Sequence, residues 1–315
     1  MTEVWTAMEE PVIAPEDSIG VLRQRLLVAP EPFAKMSGSG NDFAMIDNRA
    51  GLLTDAELPE FARRACRRGV SIGADGVVAI ERPVDGQPPA DFRWRYINAD
   101  GSDADFCGNG AMCGPRFAVH AGIAPATCVF QTPVGSIHAR VSPDDSRVRI
   151  SMPDSGPLAA PVTLDVLGRS LAIHFVHLGV PHAVAFVDNA DTFAGASLFA
   201  EVGKHVRLHP RFAPDGVNVN LVHHIDAHTI RMRTYERGVE AETLACGTGA
   251  VASAVVAMQG LGLAPPVTIV TSSGRVLEAA FRWDAATGCA RDISLSGEAR
   301  FIATGELHPE GWQDA

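Results

Sequence analysis

Residues 106–113 read FCGNGAMC, and residues 245–252 read ACGTGAVA. Each spells cysteine, glycine, a polar residue, glycine and alanine, and each opens onto a candidate helix. The first, NGAMCGPRFAVHAG, is rich in alanine and closes at Gly122. The second, GAVASAVVAMQGLG, is small and apolar almost all round, with its end expected at Gly260. A helix that is apolar on every side has to be buried.

Working outward from the motifs, the echo continues. GSGNDFAMIDN, ending at Asn48, matches GVPHAVAFVDN, ending at Asn189; ADGV around Gly76 matches PDGV around Gly216; TPVGS around Gly135 matches TSSGR around Gly274. Asn48 lies 59 residues before Cys107 and Asn189 lies 57 before Cys246, while Cys107 to Gly135 and Cys246 to Gly274 both span 28. Four landmarks in one order at nearly equal intervals imply an internal duplication. With two copies only, the expected form is a pseudo-twofold pair and not a solenoid. Proline, aspartate and serine accumulate over residues 143–161, which places the boundary there. The expected organisation is an N-terminal extension over residues 1–30, one half over 31–155 and the other over 156–315.

AMIDNR, GVVAIE, FRWRYINA, CVFQTP, VRISM, AVAFVD, VNVNLVHH, TIRMRTYE and VTIVTS read as strands, being short, β-branched or alternating, and bounded by turn residues. The fold class expected is therefore α+β, with each half a mostly antiparallel, strand-rich shell wrapped around one central helix.

The chain has 315 residues, 46% of them hydrophobic and 20% charged, with a formal net charge of −11. That balance argues against nucleic acid or an anionic membrane as a partner and leaves a small zwitterion open. No apolar run has the length of a membrane span, and the acidic first thirty residues do not read as a secretory signal. The cytoplasm is the expected compartment. Six cysteines in a chain this long do not make a disulfide framework, and Cys107 with Cys113 lacks the tight spacing of a zinc knuckle, so no metal is expected.

In CGNGA and CGTGA the glycines let the backbone turn sharply and leave amide groups uncovered where the helix begins. Free amides and the helix dipole form an anion site, and the same field favours a thiolate. The amides of Gly108, Asn109, Gly247 and Thr248 are thus candidates to hold a carboxylate beside a reactive sulfur. One such cysteine would suggest a nucleophile. Two equivalent ones, facing each other across a pseudo-twofold axis, suggest that one sulfur removes a proton from a carbon while the other delivers one to the opposite face. That is stereochemical inversion, and it calls for no cofactor. A disulfide between Cys107 and Cys246 would be the oxidised, inactive form.

Read together, KMSGSGNDF, IGADG, YINADGSDADFCGNGAMC, GVPHAV, GVNVNLV and RTYERGVEAETLACGTGA resemble the diaminopimelate epimerase family from Phe33 to Leu307. The resemblance implies a cofactor-independent enzyme interconverting LL- and meso-diaminopimelate for lysine and peptidoglycan precursors, and a homodimer. It implies that Cys107 and Cys246 are the acid/base pair, and that His182 tunes Cys107 while Glu236 tunes Cys246. It also implies that Asn41, Asn98, Asn218, Glu236 and Arg237 hold the polar ends of the amino-acid substrate. Arg237 suits a carboxylate because its planar fork bonds two oxygens at once. The chain departs from the family pattern at Val180, where many relatives carry asparagine, at Met112 and Pro115, and in a GVEAETLA linker one residue longer than usual. Two alternatives keep the fold and change the role: an epimerase or racemase of another amino acid, and a binding protein without catalysis.

Overall fold

The computed structural model describes residues 32–143, 146–188 and 196–312. The extension expected over residues 1–30 lies outside the described residues, as does Asn189, the last residue of one echo.

The chain makes the same passage twice. The first runs β1 (Pro32–Gly38), β2 (Asn41–Asp47), α1 (Leu58–Ala65), β3 (Gly76–Glu81), β4 (Phe92–Asn98), β5 (Asp103–Ala104), α2 (Gly108–His120), β6 (Thr127–Thr132), β7 (Gly135–Val141) and β8 (Arg147–Ser151). After the short β9 (Val162–Val166), the second runs β10 (Arg169–Leu178), β11 (Val180–Phe186), α3 (Ala196–Arg207), β12 (Asn218–Asp226), β13 (Thr229–Glu236), β14 (Ala241–Thr243), α4 (Gly247–Leu261), β15 (Val267–Val270), β16 (Val276–Asp284) and β17 (Cys289–Glu306). The pairing repeats as well. β2–β3 and β4–β6 are parallel in the first passage, β11–β12 and β13–β15 in the second, and the remaining ladders are antiparallel. The fold is α+β, strand-rich and pseudo-symmetric.

The reason lies in how the parallel strands are buried. GVVAI of β3 is apolar up to the terminal Glu81 because both its faces are covered. Val78 and Ile80 enter the large core that holds α2, while Val77 and Ala79 face Phe61, Ala62 and Ala65 of α1. β12 does the same: Val222 joins the large core, and Val219 and Leu221 pack with Phe199, Val202 and Val206 of α3. One helix therefore lies on each side of the sheet in each passage. α1 and α3 are additional to the expected elements. α1 carries its own signals, a proline in its first turn and an Arg64–Glu60 pair at 2.5 Å.

α4 is apolar all round, and every residue from Gly249 to Ala257 is buried. It runs past the expected end at Gly260 to Leu261, with Gly262 as its left-handed cap at φ 75°. Gly260 serves packing instead: a Cβ there would stand 2.8 Å from the Phe186 ring. β17, the longest strand at 18 residues, pairs with β16 and β8 along its first part and with β1 along its tail, so it joins the two passages. Among the described residues no helix is long and apolar enough to cross a membrane.

Candidate active site

Cys107 and Cys246 occupy the same place in the two passages. Each is the residue just before a helix, in extended backbone, with φ −141° and ψ 113° at Cys107 and φ −129° and ψ 114° at Cys246. The Gly249 amide donates to Cys246 Sγ at 3.4 Å, and Thr248 Oγ1 lies 3.5 Å from the same sulfur. At Cys107 the Asn109 and Gly110 amides act on the sulfur in the same sense.

The two helix starts abut. A Cβ on Gly108 would lie 3.4 Å from Gly247 Cα, and one on Gly247 would lie 3.3 Å from Gly108 Cα and 2.9 Å from Leu295 Cδ2. Glycine at position 247, where a side chain would crowd both Gly108 and Leu295 of β17, is what lets the backbones meet. The two sulfurs consequently sense each other: charge on Cys107 raises the pKa of Cys246.

Burial pushes the Cys107 thiol up to about 11, with the Gly110 amide opposing and the Glu236 carboxylate adding to the rise. Burial also pushes Cys246 up to about 12, again with Glu236 contributing. The Glu236 carboxyl is itself raised by burial, against the pull of the Thr243 hydroxyl. Both thiols are thus protonated at neutral pH, and charge on Cys107 further disfavours ionisation of Cys246. A cation or a hydrogen-bond donor entering the site is what would release one thiolate.

Around the sulfurs stand two polar frames. In the first, Asn109 Nδ2 donates to Asn41 Oδ1 at 2.7 Å and to the Ala245 carbonyl at 3.3 Å, so the first motif reaches the residue preceding Cys246. Asn41 Nδ2 donates to Asp75 at 3.0 Å. Asp75 shares Arg68 with Asp42, which also pairs with Lys35 at 2.7 Å. Burial opposes the Asp42 charge, but the Arg68 and Lys35 bonds outweigh it and hold the carboxyl at about 2. This ion cluster braces the turn that presents Asn41.

In the second frame, Asn218 stands opposite His182 in register and accepts the Arg237 amide at 2.8 Å. The Arg237 guanidinium makes no ion pair among the described residues, yet lies close enough to disfavour charge on His182. His182 is wholly buried, pushed down to about 3, and approached at Nδ1 by Asn220 Nδ2 at 3.1 Å. Asn98 stands apart from the hydrogen bonds of both frames; its Nδ2 donates to Ser102 Oγ at 3.0 Å and holds the 98–102 turn.

Asp75, Thr234, Asn220 and Leu295 are residues the sequence reading passed over. Asp75 had a signal, since it lies in the repeated DGV. Asn220 had one too: Asn218 and Asn220 interrupt the apolar run Val217–Val222 at a spacing of two, which puts both on one face. Leu295 looks like any core leucine, and only the meeting of the two glycines above it marks it out.

The model of the family described as diaminopimelate epimerase matches residues 33–155 and 174–291. A diaminopimelate epimerase of Aquifex aeolicus is 38% identical over 286 residues, which is 88% of this chain and 98% of that protein. The chain belongs to the diaminopimelate epimerase family. The fold itself reaches further than the family. A PhzF-family phenazine biosynthesis protein of Bacillus anthracis superposes with a TM-score of 0.66 at 13% identity, covering 88% of this chain and 98% of that one. A hydroxyproline epimerase of Agrobacterium vitis, with bound trans-4-OH-L-proline, gives 0.65 at 15% identity over 88% and 90%. Of the departures from the diaminopimelate epimerase pattern, Met112 is buried beneath Gly297 in the large core and Val180 opens β11 opposite Leu178.

Proposed function

We propose that this protein is a diaminopimelate epimerase that inverts the α-carbon of its substrate with two thiols. The observation that supports this most is the abutment of the Gly108 and Gly247 backbones, the residues that follow two equivalent cysteines at the positive ends of two helices. The α-carboxylate would sit on the amides of Gly108, Asn109, Gly247 and Thr248, where both helix dipoles favour negative charge. Its field of donors would also accept the charge that spreads into the carboxylate as the α-proton leaves.

Cys107 and Cys246 would take opposite faces of the carbon. In one direction the thiolate of one removes the proton and the thiol of the other supplies its replacement; the reverse reaction exchanges the roles. The substrate ammonium offers the cation that the buried thiols require. Glu236 and His182 would tune the pair, while Arg237, whose fork makes no ion pair among the described residues, Asn41, Asn98 and Asn218 would bind the substrate's polar groups between the halves 31–155 and 156–315. The enzyme is proposed to work in the cytoplasm as a homodimer, without a cofactor.

Val180 gives a second reading some support, because it places an apolar side chain where many relatives offer an amide; the substrate would then be another amino acid. Incubation of the reduced protein in deuterium oxide with LL-diaminopimelate, and separately with a panel of amino acids, decides between them. Inversion with one deuteron entering the α-carbon of diaminopimelate is the expected result. Exchange on another amino acid with none on diaminopimelate would replace the first reading by the second.

A further inference from the structure

Asn220 is a wholly buried polar side chain that the acid/base scheme does not use. Its three hydrogen-bond partners fix which way its amide faces. Nδ2 lies 3.4 Å from the Ala183 carbonyl, which can only accept, so the NH2 end and not the oxygen must face it. The Thr234 hydroxyl donates to Oδ1 at 2.9 Å from the other side. That orientation turns the second Nδ2 hydrogen to His182 Nδ1 at 3.1 Å. A donor opposite Nδ1 requires Nδ1 to be the unprotonated nitrogen, and a neutral imidazole then carries its proton on Nε2.

We infer that Asn220 is a positioning residue that locks His182 as the neutral Nε2–H tautomer, so that this ring acts by donating a hydrogen bond to an anionic acceptor and not by accepting a proton. Nε2 is buried and has no partner among the described residues, which leaves its hydrogen free for that acceptor. Burial first, then the neighbouring His177 and Arg237, opposes the doubly protonated ring and keeps it neutral. Asn220 also stands against the turn that carries Cys246: a Cβ on Gly249 would lie 2.4 Å from Asn220 Oδ1 and 3.2 Å from Cys246 Sγ. One amide thus sets the ring and supports the sulfur's helix start. The inference rests on the proposed reaction only for the consequence, since the tautomer can be observed without turnover.

The test is the 15N spectrum of histidine-labelled protein at neutral pH. The wild type is expected to show, for His182, a non-protonated Nδ1 and a protonated Nε2; a proton on Nδ1 would overturn the assignment, and this measurement needs no variant. Asn220→Asp replaces the donor by an acceptor of the same size, and a proton should then appear on His182 Nδ1. An Nδ1 still bare in that variant means that Asn220 does not control the ring. Asn220→Leu should lower kcat by roughly ten- to a hundredfold with a smaller change in KM. Wild-type kcat in folded Asn220→Leu would remove the role. If the wild-type protein fails to turn over diaminopimelate, the proposed function falls while both spectra still decide the tautomer.

Discussion

Glu236 is within electrostatic reach of both sulfurs and raises the pKa of each. Removing its charge should therefore ease ionisation of both thiols: in Glu236→Gln the pH dependence of alkylation by iodoacetamide is expected to move to lower pH at Cys107 and at Cys246, followed by peptide mass spectrometry. A shift at one cysteine alone would show that the carboxylate serves a single partner. The acid/base pair makes the sharper claim. Cys107→Ala or Cys246→Ala should each reduce inversion by about a thousandfold or more, because general acid and base catalysis typically contribute 10²- to 10⁴-fold apiece. Unchanged circular dichroism in both variants, with epimerisation lost, is the result that supports the assignment. These two residues could be read from the chain because their glycine context occurs twice. Asp75 and Asn220 could not be placed with equal ease, since each acts through another side chain and a single asparagine in a strand has many possible partners.

At the scale of elements, the two helix starts differ in how much room they leave. A Cβ on Gly108 meets only ordinary contacts at 3.4 Å, whereas one on Gly247 meets Leu295 at 2.9 Å and the Gly108 backbone at 3.3 Å. Gly247→Ala is thus expected to cost about 1–3 kcal/mol of stability through overpacking, and Gly108→Ala less, as measured by urea unfolding. Equal costs would mean that the abutment is looser than described. The helices themselves were legible from the glycine-cysteine start and the small apolar run. So were β3, apolar on both faces, and β12, whose Val219, Leu221 and Val222 mark a buried strand. β17 was not: CARDISLSGEARFIATGE mixes charge and glycine, because much of the strand is solvated on one side while Leu295 and Gly297 serve close packing on the other. α3 was missed for a related reason. Its apolar residues Phe199, Val202 and Val206 cover only the outer face of the sheet, so its pattern is diluted by Lys204, His205 and Arg207.

Across the whole molecule, the duplication concentrates titratable groups in buried places, and the sign of each shift sets how stability depends on pH. His182 is held at about 3, below its unfolded value of about 6.5. The stability it contributes is complete above the unfolded value and is lost as pH falls toward 3. Asp42, held at about 2, adds a further loss as pH falls below about 4. The thiols work in the other direction. Burial raises Cys66 and Cys128 to about 12, as it does Cys246, and Cys107 to about 11. Their contribution is complete below the unfolded thiol value of about 8.5 and is lost progressively as pH rises from there toward 11 and 12. The urea midpoint, followed with reductant present from pH 3 to pH 11, should trace a plateau between about 6.5 and 8.5 with a fall on each side. In Cys66→Ala and Cys128→Ala, which leave the paired sulfurs in place, the alkaline fall should become shallower relative to each variant's own plateau. An alkaline slope identical to that of the wild type in both would place the loss elsewhere than in the buried thiols.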